Sequence, residues 1–128
     1  MSDTRNVERP LSPHLQIYRP QLTSISSILT RITGNALILP IVLMVAWLLA
    51  AASGPEAFAL VNALAVSWFG DLVFAAACLA VWYHYLAGVR HFIFDTGHGL
   101  EVETAERLGI ACIVGSVVLT ALTIVIVQ

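Results

Sequence analysis

The sequence predicts an all-α protein, a three-transmembrane-helix membrane anchor with its N-terminus in the cytoplasm and its C-terminus on the opposite side. Three observations carry this. Only 11% of the 128 residues are charged and 59% are hydrophobic, whereas soluble domains carry about 25% charged residues. The stretches 32–55, 72–89 and 108–128 contain no Asp, Glu, Lys or Arg, and each falls within the roughly 17–25 residues a helix needs to cross hydrocarbon. Too little chain remains to build a separate soluble core. The basic residues are all arginines (Arg5, Arg9, Arg19, Arg31, Arg90 and Arg107), and they sit before the first span, between the second and third, or at the borders of those regions. The first loop and the C-terminal end carry none, which sets the orientation by the positive-inside rule.

Residues 1–21 read as a cytoplasmic N-terminal arm, broken by Pro10, Pro13 and Pro20. Asp3 and Glu8 make it unlike a transit peptide, and the first apolar run begins too late for a secretory signal. That combination favours a multi-pass protein of a bacterial inner (cytoplasmic) membrane. Residues 22–128 form the membrane domain, with helices about 22–51, 67–94 and 105–127. The first opens with the polar "TSISSILTR" and contains Pro40, which predicts a kink that neighbouring helices tolerate. Ser53-Gly54-Pro55 predicts a turn, followed by a short surface helix over Glu56–Val66. The segment "DTGHGLEVE" is the inner loop. Cys78 and Cys112 lie inside apolar spans and read as small hydrophobes. No CxxCH or Cys-rich spacing offers this chain a covalent haem or an iron–sulfur cluster.

The chemistry concentrates in "WYHYLAGVRHFIFDTG", residues 82–97. At 100° per residue His84, Gly88, His91 and Asp95 share one face of the second helix, joined further along by Ala77 and Ala80. Small residues around a histidine leave room for a flat group against the backbone, and a neutral imidazole in an apolar cleft suits haem iron. The competing reading is a histidine that hydrogen-bonds between helices. His84 and His91 cannot clamp one iron, because seven residues of helix separate them by about 10 Å. His14 and His98 lie in the arm and the inner loop, so a six-coordinate haem here takes its second ligand from another polypeptide. Arg90 reads as a residue reaching to the membrane surface. On the first helix Ser24, Ser27 and Arg31 share a side, with Asn35 a turn deeper. A hydroxyl and a guanidinium one turn apart can both donate to a quinone carbonyl; the alternative is a solvated helix start.

Two stretches, "RPLSPHLQIYRPQLTSISSILTRITG" (9–34) and "HYLAGVRHFIFDTG" (84–97), together resemble the cytochrome b membrane anchors of succinate dehydrogenase, respiratory complex II. Their spacing, the three spans and the length extend the resemblance over essentially the whole chain. It implies a non-flavin subunit of succinate:quinone oxidoreductase with no succinate-oxidising site of its own. It further implies one haem b shared with a second membrane-anchor subunit, an iron–sulfur subunit docked on the cytoplasmic side, and a flavoprotein subunit bound through it. By that resemblance His84 is the axial haem iron ligand, Ser27 and Arg31 belong to a ubiquinone site, and Arg31 and His91 lie near the haem propionates. Many family members have histidine where this chain has Thr30, which places one propionate contact in doubt. The lipid bilayer is a partner and no nucleic acid is expected.

Other readings remain at this point. A fumarate reductase anchor is a close cousin. A haem-free structural adaptor explains the helices but not the His84 stripe, and a homodimeric cytochrome b would use His84 twice. A proton-coupled transporter needs a carboxylate within a span, and the three charge-free stretches have none.

Overall fold

The structure is a computed structural model that describes residues 14, 15 and 17–127; most of the N-terminal arm, residues 1–13 and 16, lies outside them. Five helices follow in order: α1 Leu22–Ala36, α2 Ile38–Ser53, α3 Pro55–Ala65, α4 Trp68–Asp95 and α5 Val102–Val127. The first pair is one apolar span interrupted by a single residue, so three helices are long and apolar enough to cross a membrane: Leu22–Ser53, Trp68–Asp95 and Val102–Val127. The described residues are therefore all-α, with three membrane-spanning helices.

The interruption falls at Leu37, three residues before Pro40. Pro40 has no N–H to give the carbonyl four residues back, and the following bond, Ile41 N to the Leu37 carbonyl, is long at 3.4 Å. The Thr33 carbonyl still accepts from Leu37 N at 3.0 Å, so the helical path continues through the interruption. α3 starts with Pro55 in its first turn, after Gly54 at φ 132°, where proline loses no hydrogen bond and glycine avoids strain. It is tied to α2 by Trp47, whose Nε1 donates to Asn62 Oδ1 at 3.3 Å and whose ring lies 5.6 Å from that of Phe58. α4 is capped by Ser67, which accepts from Gly70 N at 3.2 Å, with Asp71 favourably placed in the first turn. Gly70 sits against the Ala65 carbonyl, where a Cβ would clash. At its other end α4 closes in a Schellman motif: Gly97, at φ 79°, donates to the Phe94 carbonyl (2.9 Å) and His98 N reaches that of Ile93 (3.4 Å).

The core is thin and built from small side chains. α5 buries Ala105, Gly109, Cys112, Ser116 and Thr120, a seam at helical spacing that lets backbones approach closely. Ser116 and Thr120 donate to carbonyls of their own helix at 2.8 and 2.7 Å, leaving no unsatisfied hydroxyl in hydrocarbon. Opposite the seam α4 buries Tyr83, Ala87 and Arg90, while α1 contributes Ser26. Most large apolar side chains, among them Leu72, Phe92, Val114 and Val125, are exposed. In water that surface is untenable; in a bilayer it meets acyl chains or other subunits.

Candidate functional site

The site lies where the start of α1 meets the last turns of α4, the ends that carry Arg31 and Arg90. α4 has two flanks there. Tyr83, Ala87 and Arg90 pack inward, and the expected stripe lies about 100° around the helix: His84 and Gly88 are half-buried, His91 and Asp95 exposed. His91 makes an edge contact with Phe94, ring centroids 6.4 Å apart. A Cβ built on Gly88 would meet nothing within 4 Å, so the space beside His84 on the stripe is open.

His84 is seated against α1. Its Nδ1 lies 3.1 Å from the Thr30 carbonyl oxygen and 3.4 Å from Thr33 Oγ1. A carbonyl only accepts, so the contact is a hydrogen bond in the tautomer with the proton on Nδ1, the one in which Nε2 keeps its lone pair. The Thr33 hydroxyl proton is directed to its own helix, with the Leu29 carbonyl at 2.8 Å and that of Thr30 at 3.0 Å. The imidazole comes this close because position 34 has no side chain: a Cβ there would lie 2.9 Å from His84 Cε1 and 3.4 Å from Nδ1. Position 30 reaches His84 through its main chain. The Thr30 hydroxyl itself turns back to the Ser26 carbonyl at 2.8 Å, so a histidine in its place is not required to hold the ring.

Ser27 is half-buried and Arg31 exposed on α1, and neither side chain hydrogen-bonds to another described residue. Both are available to a ligand or partner at the membrane edge. The adjacent Ser26 is the inward one, 1% exposed, and its carbonyl also accepts from Tyr83 Oη at 3.0 Å.

Arg90 corrects the sequence reading. It does not reach out to the surface but is 6% exposed, with Nη1 donating to Ser26 Oγ at 2.8 Å and Nη2 to the Ala105 carbonyl at 3.2 Å. Its guanidinium also lies 4.6 Å from the centroid of the Phe94 ring. The inward direction wins because serine and alanine on the neighbouring helices leave space and expose acceptors. Sequence reasoning also passed over Gly34 and Ser26. The signal for Gly34 was a glycine within a membrane helix, where close approach is the usual reason for one.

Comparison with known proteins fits this picture. Residues 5–123 match the family described as succinate dehydrogenase/fumarate reductase transmembrane subunit. The chain is similar to the succinate dehydrogenase cytochrome b556 subunit of Paracoccus denitrificans, 49% identical over 126 residues that span 98% of this chain and 97% of that one. It is 36% identical to the cytochrome b556 subunit of Rickettsia conorii over 115 residues, 90% of each chain. With the cytochrome b560 subunit of Reclinomonas americana it shares 34% identity over 109 residues, 81% of this chain and 76% of the other. A match of this strength over nearly the whole of a chain with three apolar spans means that it belongs to the succinate dehydrogenase/fumarate reductase transmembrane-subunit family.

Proposed function

We propose that this chain is the cytochrome b anchor of a bacterial succinate dehydrogenase: it binds haem b through His84 and forms part of a ubiquinone-reduction site with Ser27 and Arg31. The observation that carries the reading is the state of His84. With Nδ1–H given to the Thr30 carbonyl at 3.1 Å, the ring is held in the tautomer whose Nε2 can ligate a metal, and that hydrogen bond makes the nitrogen a better donor. The competing role, a histidine that only bridges helices, uses one nitrogen and leaves the other unsatisfied in hydrocarbon. The open space beside Gly88 suits a flat macrocycle next to the histidine. A haem bound there supplies a one-electron store beside the quinone.

This chain's residues do the rest. Gly34 and the Thr30 carbonyl orient His84. A second iron ligand would have to come from another membrane-anchor subunit, since His91 lies about 10 Å along the helix and is exposed. His91 and Arg31, both exposed, would hold the haem propionates, through a ring N–H and the guanidinium respectively. Ser27 Oγ donates to a quinone carbonyl, and the Arg31 guanidinium favours the negative charge that builds on the oxygens as electrons arrive. The protons that complete the quinol come from the cytoplasmic side. The electrons reach this site from succinate through a flavoprotein subunit and an iron–sulfur subunit seated over the arginine-bearing ends. The N-terminus is cytoplasmic and the C-terminus lies across the inner membrane. The names of the relatives favour succinate oxidation over fumarate reduction.

The test is a reduced-minus-oxidised optical spectrum of the complex purified through this chain in mild detergent. A b-type band that disappears in His84→Ala, with the other subunits still copurifying, is the expected result. A band that survives His84→Ala overturns the assignment of the ligand, and no band at all leaves a haem-free anchor.

A further inference from the structure

Among the described residues Arg90 is the one buried charged side chain, and nothing in the function above uses it. Among the described residues no carboxylate offsets it, the one ion pair being exposed, Arg107 with Glu103, and its Nε is buried with no hydrogen-bond partner among them. An uncompensated guanidinium is costly to bury, and an apolar side chain of similar volume fills such a space at less cost. Its two donated hydrogen bonds link α4 to both other spans, through Ser26 on α1 and Ala105 on α5. The Ser26 hydroxyl donates its proton to the Thr23 carbonyl at 3.0 Å while accepting from Arg90 at 2.8 Å. Ser27 follows about 100° around α1, and Arg31 one turn beyond it. The rotation that turns Ser26 toward Arg90 therefore sets the direction in which Ser27 and Arg31 face.

We propose that Arg90 is a positioning residue for quinone: acting through Ser26, it fixes the rotation of the start of α1 and so holds Ser27 and Arg31 at the membrane edge. The inference rests on the quinone reading of those two residues given above. It is tested in the assembled complex with Arg90→Met, Ser26→Ala and their combination, following reduction of a short-chain ubiquinone and the haem spectrum together. Loss of a hydrogen bond to a charged group corresponds to about a tenfold effect. The expected result is a rise of about that size in quinone KM for each single variant, with kcat little changed and haem retained. The double variant is no worse than the worse single one, because both break one link. Arg90→Lys, which keeps the charge and a donor for Ser26, recovers most of the loss.

An unchanged KM in either assembled single variant overturns the proposal, as do effects that multiply in the double variant. If Arg90→Met does not assemble, Ser26→Ala decides alone, since it removes one hydroxyl; an unchanged KM there is refuting. Ser27→Ala separates the two levels. If it raises KM while Arg90→Met and Ser26→Ala do not, only the positioning role falls. If Ser27→Ala has no effect, the quinone assignment falls and the positioning role with it.

Discussion

Gly34→Ala tests how His84 is held. The added methyl would lie 2.9 Å from His84 Cε1 and 3.4 Å from Nδ1. Carbon atoms settle at about 3.5–4.0 Å, so the ring must retreat by about 0.6 Å. Nδ1 stands 3.1 Å from the Thr30 carbonyl. A retreat of that size away from α1 takes the separation to about 3.7 Å, beyond hydrogen-bonding distance. Overpacking of this kind costs about 1–3 kcal/mol, and the lost hydrogen bond adds about 0.5–1.5 kcal/mol. A combined loss of about 2 kcal/mol lowers haem affinity by more than tenfold and weakens the donor strength of Nε2. The assay is haem per complex, by pyridine haemochrome, with a redox titration of what remains. Expected are substoichiometric haem and a shifted midpoint potential in a complex that still assembles. Full haem at an unshifted potential would show that the ring is not seated by the absence of a side chain at position 34.

Gly88→Phe places a ring in the open space beside His84, where a Cβ would meet no side chain and no other helix of the described residues within 4 Å. Haem should be lost while α4 stays folded and the other subunits copurify; retained haem means that the macrocycle lies elsewhere. Ser27→Ala and Arg31→Gln should raise quinone KM by about five- to tenfold and more than tenfold respectively, as neutral and charged hydrogen bonds differ, with the haem spectrum intact. Gly115→Ala puts a methyl 2.9 Å from Leu86 Cδ1. The end of that side chain can turn, so the cost should stay near the lower limit of overpacking, about 1 kcal/mol, visible as a small drop in the thermal stability of the detergent-solubilised complex.

The spans were legible because exclusion of charge from hydrocarbon is a property of the linear sequence, and three uncharged stretches declare it without any knowledge of packing. His84 was legible for a related reason: a polar residue at that depth calls for a partner. Which flank of α4 turns inward was not. The helix is apolar on nearly every side, so periodicity does not separate the Tyr83–Ala87–Arg90 flank from the His84–Gly88 flank. The same blindness put Arg90 at the surface, since an arginine near a helix end is ordinarily there and only the placement of Ser26 and the Ala105 carbonyl reverses it. Ser26 and Ser27 are adjacent and identical in type, and their opposite fates follow from the rotation of α1. The small-residue seam of α5 was present as a spacing, but small residues are common in membrane helices and become a contact surface only once a neighbour is known.

The interruption at Leu37 divides the first span into two parts with different attachments. Below it, α1 is bound to α4 by His84, Tyr83 and Arg90. Above it, α2 is held chiefly by α3, through Trp47 with Asn62 and Phe58, and the ladder between the parts includes the long bond from Ile41. A tilt of the α2–α3 pair would therefore load that long bond before it reached the hydrogen bonds around His84.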